Sequence, residues 1–282
     1  MSGGDGVFGF RHGIATAQLV LFFLALCIAI YFKLGHRNGW FCIGVFSIFR
    51  VVGAGCMLGT ITNDASSVWA GVFVCESLGM VLIVFLLIEF MARANNVVHT
   101  VHPRWFFYPQ LITWADIGLA IGGFSSASHT NSLAPTKYTQ ASFGLFTALY
   151  LIVLYTFWQF WRVMSTFPRD EKLVLRCVGV GLPLLAVRTA YSLIYQITGD
   201  RTWNAVKGNP TPYLIMTFLP ELAIIFTCIW GVFQVAPPPR KAKDKRGVRE
   251  RLRGYAMIGS DQGSRERERE HQAGQTRPQT TV

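Results

Sequence analysis

Seven stretches of this chain approach or exceed the roughly 18–20 consecutive apolar residues that cross the hydrocarbon core of a bilayer. Nothing else in the sequence limits its fold as strongly. They cover residues 14–32, 40–61, 67–90, 105–124, 141–161, 173–197 and 213–235. Backbone polar groups cannot stay unpaired in lipid, and no stretch shows the alternation of a membrane barrel strand, so each reads as a helix. The expected fold is all-α: a polytopic membrane protein with a seven-transmembrane-helix bundle over residues 14–235. Residues 1–13 form a short extracytoplasmic N-terminus, and residues 236–282 form a disordered, basic cytoplasmic tail. Aromatic residues gather at several stretch ends (Trp40, Trp69, Trp105 to Tyr108, Trp158, Trp161), as suits the headgroup layer. A cleaved signal peptide is the alternative for the first stretch, but its 19 apolar residues exceed a typical signal core, which favours a retained helix.

Charge decides the orientation. Only 15% of the residues are charged, and the last 47 residues carry 12 of the 26 Lys+Arg and 6 of the 15 Asp+Glu. Lys and Arg between the stretches alternate in density. One side holds Arg11, Lys137, Arg201 and Lys207, 4 in all; the other holds Lys33, Arg37, Arg93, Arg104, Arg162, Arg169, Lys172 and the tail, 19 in all. Because cytoplasmic segments collect basic residues, the tail is placed in the cytosol and the N-terminus outside. The +11 net charge is therefore a topology signal, and no nucleic-acid partner is expected. In the tail, Arg240, Lys241, Lys243, Lys245 and Arg246 directly follow the last stretch and are candidates for contact with anionic lipid headgroups. The terminal Thr280-Thr281-Val282 matches a short pattern of the kind captured by strand addition, a weak signal at three residues.

Ionisable residues inside the apolar stretches carry the chemistry. Arg50, Glu76, Asp116, Arg188 and Glu221 lie well inside, whereas Glu89 and Arg176 lie close enough to stretch ends to reach the interface. A charge at a helix centre costs at least ~2.5–3.5 kcal/mol, so these five must face the interior and find partners. Measured from the cytoplasmic ends at 1.5 Å per residue, Arg50 and Asp116 lie roughly 15–16 Å deep, and Arg188, Glu221 and Glu76 roughly 21–22 Å deep. Arg188 is expected to pair with Glu221, and Arg50 with Asp116 or Glu76. Two arginines against three acids leave one carboxylate over, which must take up a proton, hold a cation or be hydrogen-bonded. Arg188, Tyr191, Ser192 and Tyr195 in RTAYSLIY recur at i, i+3, i+4, i+7, one face of a helix, so Tyr191 and Tyr195 join the candidate binding cluster. Pro183 and Pro220 are expected to bend the sixth and seventh helices. Gly55-x-x-x-Gly59 and Gly118-x-x-x-Gly122 are small-residue spacings that favour close helix contact.

HRNGWFCIGVFSIFRVVGAG, ESLGMVLIVFLLIEFMARANN, AVRTAYSLIYQ and PELAIIFTCIWGVF resemble a family of fungal seven-span membrane proteins without an assigned activity. The likeness runs from Gly13 to Val235, and its most specific piece is Trp40, Phe46-Ser47, Arg50 and Gly53-Ala54. It implies a membrane location and seven helices, and it carries over no catalytic or binding residue. A looser likeness links the chain to fungal lipid-translocating exporters of the drug-resistance type. There RTAYSLIYQITG supplies the Arg and Tyr but lacks that pattern's second Arg and its Glu.

Three function classes stay open. The first is binding or transport of a small solute, a lipid or a proton through the buried charges. The second is a seven-span receptor or sensor, and the third a structural membrane protein whose ion pairs only hold helices together. No lysine lies inside a stretch, which excludes a retinal Schiff base. No paired membrane histidines, Gly-x-Ser-x-Gly or Asp pair at shared depth is present, so no enzyme is expected. All six cysteines lie inside the stretches and none forms CxxC, so neither a metal nor a cofactor is expected.

Overall fold

The computed structural model describes residues 8–235, except 36, 38, 64, 130–136 and 207. The N-terminal residues 1–7 and the whole tail, including Arg240, Lys241, Lys243, Lys245, Arg246 and the C-terminal Thr-Thr-Val, lie outside the described residues. Seven long helices account for nearly all of the rest: α1 (Phe10–Leu34), α2 (Trp40–Gly59), α3 (Ser66–Val98), α4 (Phe107–His129), α5 (Lys137–Arg162), α6 (Arg169–Thr198) and α7 (Pro210–Gln234). Six of them, all but α4, are long and apolar enough to cross a membrane. Along α4 the apolar residues are diluted by Gln110, Asp116, Ser125, Ser126 and Ser128.

Each apolar stretch became a helix, but several helices run past the stretch that announced them. α3 continues from 90 to Val98, and α6 starts at Arg169 rather than 173. Intrahelical hydrogen bonds do not end where hydropathy falls. The first turn of α6 carries Asp170 and Glu171, which complement the exposed N–H groups there. Helix ends are set by local chemistry. Gly39 adopts φ 84°, which turns the chain into α2, and a Cβ there would stand 3.0 Å from the ring of Phe90. Gly199, at φ 65°, closes α6 with its N–H on the Tyr195 carbonyl. Pro210 occupies the first turn of α7, capped by the Asn209 side chain on the Thr211 N–H.

α3 is the central helix. It packs against α2, α4, α5 and α6, and Ile83, Val84, Leu86, Leu87 and Ile88 are all buried, so its middle is covered on every face. α1 lies on α2 and reaches α7 through the edge-to-face pairs Phe22–Phe218 and Phe32–Phe233. α6 packs on α7. Glycines do permit close helix approach, but not those expected. A Cβ on Gly53 would stand 2.9 Å from Cys75, one on Gly71 3.0 Å from Cys56, and one on Gly231 2.7 Å from Cys177. Among the described residues, a Cβ on Gly55, Gly118 or Gly122 would meet nothing within 4 Å, and one on Gly59 only Val68 at 3.8 Å. Spacing alone did not say which face of each helix turns inward.

The prolines also act differently from simple breaks. α6 runs unbroken through Pro183. In α7 residues Leu214–Phe218 form a π-helical turn, in which the Leu219 N–H bonds to the Leu214 carbonyl. Pro220, lacking an N–H, follows immediately and leaves the ordinary i→i−4 bond unmade at that point.

Candidate functional site

α2, α3, α6 and α7 each deliver one charged side chain to a single buried ring. The Arg50 guanidinium donates through one terminal nitrogen to Glu76 Oε2 and through the other to Glu221 Oε1. Arg188 donates from Nη2 to Glu76 Oε1 at 2.8 Å and from Nε to Glu221 Oε1 at 3.0 Å. Each arginine therefore bridges both glutamates, and the formal charge of the ring is zero. Glu221 is fully buried, Arg188 and Arg50 are 1% and 3% exposed, and Glu76 at 8% is the most open member.

Neutral groups complete the ring. Arg188 Nη1 donates to Thr217 Oγ1 at 2.8 Å. The Tyr213 hydroxyl donates to Glu76 Oε2 at 3.3 Å and accepts from Gln18 of α1 at 2.9 Å. The Arg50 guanidinium also stands 5.6 Å from the Phe46 ring centroid. The π-turn explains how α7 presents three groups to one place. Tyr213, Thr217 and Glu221 are spaced four apart, and eight residues of α-helix would drift by about 80°. The extra residue taken into the π-turn makes the interval behave as about seven, close to two full turns.

The Arg188–Glu221 and Arg50–Glu76 pairs are present; the Arg50–Asp116 alternative is not. Asp116 lies apart, buried between α4 and α5, where it accepts a hydrogen bond from Ser142. It is the carboxylate left over by the charge count. Depth counted from the ends expected to be cytoplasmic puts Arg50 level with Asp116, because α3 and α6 overhang at those ends. From the opposite ends the four ring residues lie 9 to 11 residues in, roughly 14–16 Å, on one level. Tyr191 is fully buried, stacks edge-on against Trp203, and its hydroxyl meets no partner among the described residues. The Tyr195 hydroxyl accepts from Asn204 at 2.8 Å.

Small cavities flank the ring. One of about 20 Å³ is lined by Arg11, Gln18, Arg50, Glu76 and Tyr213, among others. Another, of about 30 Å³, is lined by Glu76, Arg188, Tyr191, Ser192, Tyr195 and Asn204 among others. A third, about 20 Å³, contains Asp116 and Ser142 and shares Phe73, Ser77, Met80 and Phe143 with the second. A water needs roughly 10–15 Å³ of such space, so each takes one or two waters and nothing larger. Glu76 borders the first two. Arg11 walls the first: it donates to the carbonyls of Gly208, at 2.8 Å, and Ala205, and stands 5.3 Å from the Tyr213 ring. Among the described residues no group of three or more His, Cys, Asp or Glu side chains is placed to hold a metal ion.

Sequence reasoning counted Arg11 only as a topology charge and did not single out Gln18, Tyr213, Thr217 or Gly79. Two signals were available: Gln18 is a polar residue inside an apolar run, and Tyr213 and Thr217 precede Glu221 at steps of four. Gly79 is the subtlest. It stands one turn from Glu76 and its missing side chain leaves the space that the Arg50 guanidinium fills.

No curated protein and no solved structure matches the chain. Residues 8–235 match the family model described as domain of unknown function (DUF7702), and the chain belongs to that family.

Proposed function

We propose that this DUF7702 protein is a seven-span membrane protein that takes up a small polar species, a proton at its simplest, at the Arg50–Glu76–Arg188–Glu221 ring. In this reading α4 is the fourth span, the N-terminus is extracytoplasmic and the tail is cytoplasmic, in line with the basic-residue count on alternate segments. Tyr191 and Tyr195 line the approach to the ring. The protein makes and breaks no covalent bond.

One observation carries the reading: Glu76 is held by both arginines yet borders two water-sized cavities. Spaces that hold one or two waters admit a proton and exclude a sugar or an amino acid. Intramembrane carboxylates held by arginines and reached by water are the parts from which proton relays are built.

The test is proton flux into liposomes containing the purified protein and an internal pH dye, with a potassium diffusion potential as driving force. The unaltered protein is expected to pass protons and Glu76→Gln to lose most of that flux while still accumulating in the membrane. Absence of flux from the unaltered protein defeats the reading. The pairing of each arginine with both glutamates favours a second one, in which the ring is only a latch between four helices; there is then no flux, and Glu76→Gln loses stability instead.

A further inference from the structure

A separate feature lies on the outer surface between α5 and α6. A groove of about 680 Å³ is lined by Leu154, Phe157, Trp158, Trp161, Gly179 and Val180, with Arg176 the one charged residue in its wall. This is well within the roughly 300–1,000 Å³ of sites that bind drug-sized molecules. Trp158 and Trp161 are 59% and 54% exposed, and Val180 50%. Gly179 forms part of the floor: the Phe157 ring rests where its Cβ would be, 3.0 Å away.

Arg176 is out of place for a structural charge. It is exposed, seven residues or roughly 10 Å inside α6, and makes no hydrogen bond or ion pair with the described residues. The acid in the first turn of α6 that is buried, Glu171, is already held by Arg93 of α3 at 3.2 Å. α5 and α6 run antiparallel and Phe157 rests on Gly179, so Arg176, three residues before Gly179, lies about one turn nearer the α5 end at Arg162. A lone guanidinium thus stands at the top of an apolar trough flanked by two indoles, the residues that prefer the headgroup boundary.

We infer that this groove is a binding site for an anionic phospholipid. Arg176 takes the phosphate, Trp158 and Trp161 border the ester region, and an acyl chain lies along Leu154, Phe157 and Val180. The inference rests on the membrane location and is independent of what the charged ring does. The charge selects the occupant: a neutral chain alone leaves the guanidinium without a partner among the described residues, whereas a phosphate satisfies it with charge-assisted hydrogen bonds.

Native mass spectrometry of the protein in non-ionic detergent tests this, with phosphatidic acid and phosphatidylcholine of identical acyl chains as probes. Phosphatidic acid is expected to bind at about fivefold lower concentration, the worth of one arginine near an anionic headgroup. Arg176→Gln is expected to abolish that preference and Arg176→Lys to keep it, while Val180→Trp, filling the trough from its exposed face, weakens both lipids. Equal affinity of the two lipids for the unaltered protein overturns the inference without need of any variant. So does a preference that survives Arg176→Gln, or displacement of phosphatidic acid by soluble glycerol phosphate, which has a headgroup and no chain.

Discussion

Replacing Gly79 by alanine tests the ring with a single methyl group. The added Cβ would stand 2.6 Å from Nη2, 2.8 Å from Cζ and 3.0 Å from Nε of Arg50. These are closer than atoms tolerate, so the guanidinium, at the end of a flexible side chain, must move. It then gives up Glu76 and Glu221 together, because both contacts come from the nitrogens it would have to shift. Depriving a buried charge of its partner costs about 3–5 kcal/mol. Alanine in place of glycine in a helix interior contributes about 1 kcal/mol in the opposite direction. The expected net loss is about 2–4 kcal/mol. Gly55→Ala supplies the control: it lies inside α2 with nothing within 4 Å, so the same change there is expected to be neutral or stabilising by up to about 1 kcal/mol. Unfolding of both variants in mixed detergent–dodecyl sulfate micelles, followed by tryptophan fluorescence, measures the difference. If Gly79→Ala is as stable as Gly55→Ala, Arg50 is not held in the ring and the site is wrongly built.

Tyr213→Phe removes the hydroxyl that joins Gln18 to Glu76 and leaves a buried amide without its acceptor, for an expected loss of about 1–2 kcal/mol. Adding Gln18→Leu should recover part of that loss in the same unfolding assay, since removing both partners is milder than removing one. Asp116→Asn is expected to change stability by less than about 1 kcal/mol, because its one hydrogen bond, from Ser142, survives. Glu221→Gln takes a charge from both arginines and is expected to cost about 3–5 kcal/mol; equal losses in these two variants would show that the ring has no special electrostatic weight.

The helices were legible because the bilayer makes the rule strict: a long apolar run has to be a helix. The pairing of Arg188 with Glu221 was legible for the same reason, since a charge in lipid must be matched and those residues sit on consecutive helices. The link from Arg50 to Glu221 was not legible. It depends on α2 and α7 meeting across the bundle, and depth measured from uneven helix ends hid the shared level of the four residues. Glycine contacts were misplaced because GxxxG spacing gives a stripe but not its direction, whereas Gly53, Gly71 and Gly231 are fixed only by which neighbour packs on them. The π-turn was half visible: Pro220 marks the broken hydrogen bond, but a proline does not say whether the helix kinks or takes in an extra residue.

That choice matters for what the ring can do. Two arginines and two glutamates cancel, so the ring is at rest in a medium of low dielectric. One added proton leaves two guanidinium groups sharing a single carboxylate, and their repulsion is poorly screened there. In the proposed proton uptake that strain would fall on α7, which carries Glu221 between the two arginines and Thr217 beside Arg188. The π-turn is where α7 can yield, since relaxing it to α-helix expels one residue and turns Glu221 by about 100° relative to Tyr213. Glu221 would then leave both arginines at once, and the helix bond absent at Pro220 would offer no resistance. Under the proposed proton uptake, a neutral ring beside a helix with one residue in reserve would have two arrangements, separated by the proton count on its carboxylates.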